Sequence, residues 1–262
     1  LRALRCVAGY SESVRRAARA DSASPGSATA LALPGALPSN GIYAEYQGKA
    51  WLAAAGVPIP RGALARSADE AVAIARDTGY PVVIKAQASE LPHKSDVGGV
   101  IVGLADEAAL RAGWARLHAN LASHRPELTL GHGLDGVLVE AMGARGIELV
   151  VGAKRDADWG PVVLVGLGGI WIEALKDVRL MAADLALPDI VEELQRLKAA
   201  AVLAGLRGAP AVDLLAIARV VAQIGAQMRA DPRIAEIDIN PLVAYPTGVL
   251  ALDALLVVKD GA

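Results

Sequence analysis

The segment Glu236-Ile-Asp238-Ile-Asn240-Pro241 is the first place where the residue types and their spacing could do chemistry. Strand side chains alternate, so Glu236, Asp238 and Asn240 share one face while Ile237 and Ile239 take the other. Acids on one face repel unless a cation offsets them, and carboxylate and amide oxygens suit Mg2+. Just downstream, Tyr245-Pro246-Thr247-Gly248 reads as a two-residue hairpin loop with Pro at its second turn position. Folding the chain back about that loop sets Asp253 opposite Asn240, whereas a one-residue slip would send Asp253 to the other face. An ordinary amphipathic hairpin with a solvated acidic face fits the same letters.

A second group is His93-Lys94-Ser95-Asp96-Val97-Gly98-Gly99-Val100. Paired glycines such as Gly98 and Gly99 let backbone amides approach an anion, the usual way to cradle a phosphate. An imidazole at the mouth of that loop could accept a phosphoryl group as a nucleophile; a polar surface loop with an idle histidine is the plainer reading. Lys85 closes the run Pro81-Val-Val-Ile-Lys85, where a strand could deliver its ammonium to nucleotide phosphates or simply to solvent. Glu140 and Glu148 sit in apolar runs, where an unpaired acid is costly. Nucleotide hydroxyls, an exocyclic amine or an internal arginine would serve as their donors. Gly166-Leu-Gly168-Gly169 follows an apolar run, but Trp171 stands where a dinucleotide fingerprint needs glycine, and no Gly-Lys-Ser/Thr triplet exists for a P-loop. A glycine loop against phosphate or a tight turn remains.

Bulk composition narrows the field. The 262 residues are 54% hydrophobic and 21% charged, with a formal net charge of −2, so no basic field exists to hold nucleic acid. Aromatic residues are 3% and Phe is absent, which removes the stacking platforms of single-strand binders. The lone Cys6 rules out an internal disulfide and a thiolate zinc site and suits a reducing cytoplasm. The apolar stretch 160–172 is too short to cross a bilayer.

The elements that must position these groups alternate between helix and strand. Residues 1–20, rich in Arg and Ala, read as a basic helix, expected to be the tail of an upstream domain, and 21–40 as a Pro- and Ser-containing linker. From residue 41 on, a capping box at Ser67-Ala-Asp-Glu70 starts a helix. Asp106 caps another, whose Leu110, Trp114, Leu117 and Leu121 form one stripe. Strands are predicted at 82–85, 136–140, 147–153, 161–166, 235–240 and 249–258, and helices near 189–204 and 211–229. The short link between 136–140 and 147–153, like the final hairpin, predicts antiparallel pairing and a mixed α/β (α+β) layout.

In this order, GKAWLAAAGVPIPRG, GYPVVIKAQ, HKSDVGGV, VLVEAM, RGIELVVGAKRD, WGPVVLVGLGGIWIEALKDV and EIDINPL resemble the ATP-grasp domain of NDP-forming acyl-CoA synthetases, relatives of succinyl-CoA synthetase β subunits. The resemblance runs from residue 41 to about 258 and implies an ATP-grasp fold in residues 41–262, two α/β subdomains clasping ATP or ADP. It implies that Lys85 meets the nucleotide phosphates, with Gly98, Gly99 and Glu148 nearby, and that the segment from Glu140 to Met142 lines the adenine pocket. Asn240 and Asp253, with Asp238, would hold Mg2+. His93 would take a phosphoryl group from a histidine of a CoA-ligase domain and pass it to ADP, with Asp238 or Glu236 steadying the imidazole. The overall reaction would be acyl-CoA + NDP + Pi ⇌ carboxylic acid + CoA + NTP, with acyl-CoA reached through a CoA-binding and CoA-ligase partner, in the cytoplasm, without nucleic acid or membrane. The alternative is a non-catalytic nucleotide-binding module regulating a fused protein acetyltransferase.

Overall fold

Two antiparallel sheets divide the apolar residues into two cores. The computed structural model describes residues 41–91, 93–169 and 177–259; the expected tail helix of 1–20 and linker of 21–40 lie outside the described residues. Strand β1 (Gly41–Tyr43) leads into helix α1 (Glu45–Ala54). The smaller sheet contains β2 (Gly62–Ala65), β3 (Val82–Gln87), β4 (Val100–Leu104) and β7 (Gly136–Ala141), in the order β2-β7-β3-β4. Between β4 and β7 lies a two-stranded ribbon of β5 (Thr129–Leu130) and β6 (Gly133–Leu134). Helices α2 (Ala68–Thr78) and α3 (Glu107–His124) cover the four-stranded sheet. Ile84, Leu110, Leu117, Leu121, Val137 and Val139 fill the space between, so the predicted stripe of α3 faces the core. Both helices start as expected: Ser67 Oγ accepts from the Glu70 amide and Asp106 Oδ1 from the Ala109 amide.

The larger sheet has seven strands. Its order is β1-β13-β11-β8-β9-β10, built from β8 (Ile147–Asp156), β9 (Gly160–Leu167), β10 (Val178–Ala182), β11 (Ile234–Ala244) and β13 (Leu255–Val258), with β12 (Val249–Ala251) paired to the far end of β11. Helices α4 (Leu187–Gln195), α5 (Ala200–Leu203) and α6 (Leu214–Ala230) bury its outer face through Ile190, Leu194, Ile217 and Ile224. No helix among the described residues is long and apolar enough to cross a membrane.

Three expectations are corrected. The strands at 136–140 and 147–153 do not pair: β7 belongs to the small sheet and β8 to the large one. Their short link is the crossover between the sheets. It runs so close to the hairpin that a Cβ on Gly146 would come within 2.6 Å of the Ala244 carbonyl oxygen and one on Gly143 within 2.9 Å of Leu252. The single helix expected over 189–204 is split, because the buried Asp177 carboxylate takes the amides of Lys198 (3.0 Å) and Ala199 (2.8 Å), which a continuous helix would use internally. The last strand is interrupted at residues 252–254, opposite Pro241, which has no N–H to donate to a ladder.

The hairpin is locked from outside by Asp213. One carboxylate oxygen caps α6 at the Ala216 amide (2.9 Å) and the other accepts from Gly248 in the turn (3.1 Å). Asp213→Ala should therefore lower stability by about 1–2 kcal/mol, a cap plus one tertiary hydrogen bond. The denaturant midpoint should fall with an unchanged slope; an unmoved midpoint would show that the turn holds without this tie.

Candidate active site

The site is assembled where the two sheets face each other, around helix α1. Glu45 and Lys49 are one turn apart and share a face, with Nζ 2.8 Å from the Glu45 carboxylate. That face meets the ends of two strands from the small sheet. Lys49 also donates to both oxygens of Glu140 on β7 at 2.7 Å, and Lys85 on β3 lies 2.6 Å from Glu45 and 3.1 Å from Glu140. A 3₁₀ turn (Lys94–Val97) brings Lys94 to 2.9 Å from Glu45, and the interruption in the last strand offers Asp253, 3.2 Å from Lys94. Lys85 further donates to the Leu252 carbonyl in that interruption. Three lysines thus balance three acids in a nearly dry junction, where the side chains of Lys49, Glu140 and Glu45 are 2%, 2% and 1% exposed. Burial alone would raise the Glu45 pKa, but the ammonium groups of Lys85, Lys49 and Lys94 outweigh it and hold the carboxyl well below its usual range. Burial likewise opposes the charge of Lys85, while Glu45, Glu140 and Asp253 more than restore it. Gln87 completes the junction, its Oε1 accepting from the Tyr46 amide at the start of α1 (2.9 Å).

Next to this ion cluster opens a cleft of about 250 Å3, lined among others by Glu45, His93, Lys94, Asp238, Asn240 and Asp253. The two constellations read separately from the sequence therefore meet in space. His93 precedes the 3₁₀ turn and is exposed to the cleft. The hairpin has the anticipated register, with Leu242 opposite Ala251 on one side of the interruption and Asp238 opposite Leu255 on the other, which leaves Asp253 facing Asn240. Glu236 and Asp238 alternate with buried Ile237 and Ile239, as expected.

The remaining residues are placed differently. The amides of Gly98 and Gly99 do not form an open anion cradle: they donate to the carbonyls of Ser95 (3.1 Å) and Lys94 (2.8 Å) and close the turn. Glycine is needed at both positions for other reasons. Gly98 has φ 65°, and a Cβ on Gly99 would lie 2.9 Å from the Lys94 carbonyl oxygen. Glu140 is buried, with Lys49 and Lys85 as its donors rather than an arginine. Glu148 is exposed and needs no such partner; its backbone carbonyl accepts from Gly168 instead (2.8 Å). Met142 is exposed on the inter-sheet link. The glycine loop after β9 can be followed as far as Gly169, and its continuation to Trp171 falls outside the described residues. Glu45, Lys49 and Gln87 were missed by sequence reasoning. The one available signal was the i,i+4 pair Glu45/Lys49 at the head of a helix whose N-cap residue is Ala44.

Asp238 is the electrostatic oddity. Burial, then the neighbouring charges of Glu236 and Asp253, push its pKa up to about 6. Because the folded state then holds a proton that the unfolded chain has released, stability should decline as pH rises from about 4 to about 6. Thermal melts across that window should be flatter in Asp238→Asn; a wild-type slope in the variant would remove Asp238 as its source.

The ATP-grasp domain pattern matches residues 38–258. The chain belongs to the ATP-grasp family. This ATP-grasp domain is 42% identical over 260 residues to a trans-feruloyl-CoA synthase from an unknown prokaryotic organism; the match takes in 98% of the chain but only 36% of that enzyme's length. It is 36% identical over 213 residues to the β subunit of the ADP-forming acetate–CoA ligase I of Pyrococcus furiosus, covering 81% of the chain and 90% of the subunit. Among solved structures, acetyl-coenzyme A synthetase 1 of Ca. Korarchaeum cryptofilum, in complex with coenzyme A and Ca-AMPCP, superposes with a TM-score of 0.80 at 34% identity, over 84% of this chain and 94% of that one. A second structure of that synthetase, with coenzyme A and Mg-AMPPCP, has its phosphohistidine segment pointing towards the nucleotide binding site (TM-score 0.71, 33% identity, 82% and 92% covered).

Whether the donor set of this ATP-grasp domain suits a divalent ion can be judged from its own charges. Asp253 is already paired with a cation, the Lys94 ammonium, while burial first, and then the charges of Glu236 and Asp253, raise the Asp238 pKa to about 6. Among the described residues no group of three or more His, Cys, Asp or Glu converges as a metal cage. Two carboxylates and one amide oxygen instead fit Mg2+, which takes one or two carboxylates and completes its shell with water and substrate phosphate.

Proposed function

We propose that this ATP-grasp domain is the nucleotide-binding and phosphoryl-transfer module of an NDP-forming acyl-CoA synthetase, working in the cytoplasm with a CoA-binding and CoA-ligase domain or subunit. The observation that carries the proposal is the cleft that gathers exposed His93 with Asp238, Asn240 and Asp253. A nucleophile and an oxygen donor set for phosphate-bound Mg2+ thereby face one space small enough to hold a phosphoryl group. The relatives' names supply the chemistry of the partner: coenzyme A ligation in each case, and a phosphohistidine segment in one.

In this reading a phosphohistidine of the partner enters the cleft. A nitrogen lone pair of His93 attacks phosphorus as the P–N bond to the donor histidine breaks, so one P–N bond replaces another. The β-phosphate oxygen of the nucleoside diphosphate then attacks, the His93 P–N bond breaks, and NTP leaves with neutral imidazole behind. Asp238 or Glu236 steadies the imidazole, and Lys85, held in place by Glu45 and Glu140, neutralises phosphate charge. The segment from Glu140 to Met142, at the end of β7, borders the adenine, with Glu148 on β8 nearby. Gly98 and Gly99 shape the turn that aims His93. Asn240, Asp253 and Asp238 would hold Mg2+, whose charge would offset that of the phosphates. Positioning and charge neutralisation supply most of the catalysis, as phosphoryl transfer generally requires.

The test is direct. The chain is incubated with labelled ATP, Mg2+ and its CoA-ligase partner, and the product is mapped by mass spectrometry. Acid-labile phosphate on His93 is expected; a fully active mixture with no label there would rule out the relay.

A further inference from the structure

Lys94 stands immediately after His93, and its position is peculiar for a residue of a surface turn. It is 7% exposed, and its ammonium sits 3.3 and 3.2 Å from the two oxygens of Asp253 and 2.9 Å from Glu45. Asp253 in turn faces Asn240 across the open part of the hairpin, and its side chain is 36% exposed on the cleft side. A univalent cation therefore occupies the carboxylate that the proposed function gives to a divalent one. The two cannot share it at full strength, because an ammonium and a metal ion some 3 Å from the same oxygens repel each other.

We propose that Lys94 is a placeholder cation for Asp253, displaced towards Glu45 when a divalent ion loads that carboxylate. The inference rests on the reading of Asp253 as a metal ligand. Lys94 has somewhere to go: Glu45 Oε2 already holds it at 2.9 Å. The turn itself is closed. The Lys94 carbonyl accepts from Gly99 (2.8 Å), the His93 carbonyl from Asp96 (3.3 Å), and the space beside Gly99 is too tight for a side chain. The backbone of the turn is thereby fixed, so displacement of the ammonium is a swing of the flexible Lys94 side chain towards Glu45. Lys94 accordingly offsets the charge of Asp253 until the ion takes that carboxylate.

The experiment uses the whole chain without nucleotide. Mn2+ binding is measured by electron paramagnetic resonance for wild type, Lys94→Met, Lys94→Arg and Asp253→Asn. Lys94→Met should bind Mn2+ about ten-fold more tightly, the scale on which one neighbouring charge shifts an equilibrium at a carboxylate. Lys94→Arg, which keeps the charge, should stay near wild type, and Asp253→Asn should lose the site. In wild type, Mg2+ should also shift the His93 ring resonance and raise the rate at which an amine-reactive reagent labels Lys94. These two readouts need no variant to fold. Lys94→Met with wild-type affinity, or Lys94 labelling that ignores Mg2+, would overturn the placeholder while leaving the metal site intact. Wild-type Mn2+ binding by Asp253→Asn would instead remove the metal site itself, and the placeholder with it.

Discussion

His93→Asn is expected to cut partner-dependent NTP formation by roughly 10^3-fold or more, since it removes the group that carries the phosphoryl in the proposed relay. Asparagine keeps a polar side chain of similar reach but has no nitrogen lone pair able to attack phosphorus. His93 is exposed and buries no apolar surface, so folding stability should stay within about 0.5 kcal/mol of wild type. Nucleotide affinity should also hold, because Lys85, the proposed phosphate contact, is fixed by Glu45 and Glu140 rather than by the turn. The diagnostic pattern is therefore lost turnover with retained ATP binding, measured by calorimetry alongside the coupled assay. A variant with more than about a tenth of wild-type turnover would mean that the phosphoryl group passes directly from the partner to the nucleotide, against the size of effect expected for a nucleophile.

The largest effect on stability should come from Lys49, a residue without any assigned part in the chemistry. Its ammonium touches Glu45 at 2.8 Å and both oxygens of Glu140 at 2.7 Å, from a position with 2% exposure. Lys49→Met has nearly the same volume but leaves two buried carboxylates with one fewer donor and one more negative charge than their surroundings can offset. Breaking a buried ion pair from one side typically costs about 3–5 kcal/mol, because the partner is left charged and dry. Glu140→Gln added to Lys49→Met removes that excess charge, so the double variant should be more stable than Lys49→Met alone. Denaturant unfolding of the four proteins in this cycle gives the coupling directly. A Lys49→Met cost below about 1 kcal/mol would show that water reaches the junction and screens it.

How legible all this was differs from element to element. The core stripe of α3 and the caps at Ser67 and Asp106 depend on residues within a turn or two of each other, and the structure has them as read. The hairpin register belongs with them, since a two-residue loop fixes which residues oppose each other, and Asp253 came out facing Asn240. The pairing of 136–140 with 147–153 failed because neighbouring strands need not share a sheet. Here the glycine-bounded link crosses to the second sheet, a decision made by packing against Ala244 and Leu252. The split of the helix over 189–204 was invisible for a similar reason, as the interrupting carboxylate, Asp177, comes from outside the helix.

Within the site, the sequence alone determined the chemical types: an imidazole beside a glycine turn, and acids with an amide on one strand face, because spacing fixes which side chains share a face. Only the tertiary structure decided what those groups touch. It brought the His93 turn and the Asp238–Asn240 face to one cleft, committed Lys85 and Glu140 to each other, and recruited Glu45, Lys49 and Lys94 to the same junction. Apart from the Glu45–Lys49 pair, charge balance in this dry junction is set by contacts such as Lys85 with Glu45 and Lys94 with Asp253, 40 and 159 positions apart. No local pattern encodes contacts at that range; the packing of helix α1 between the two sheets does.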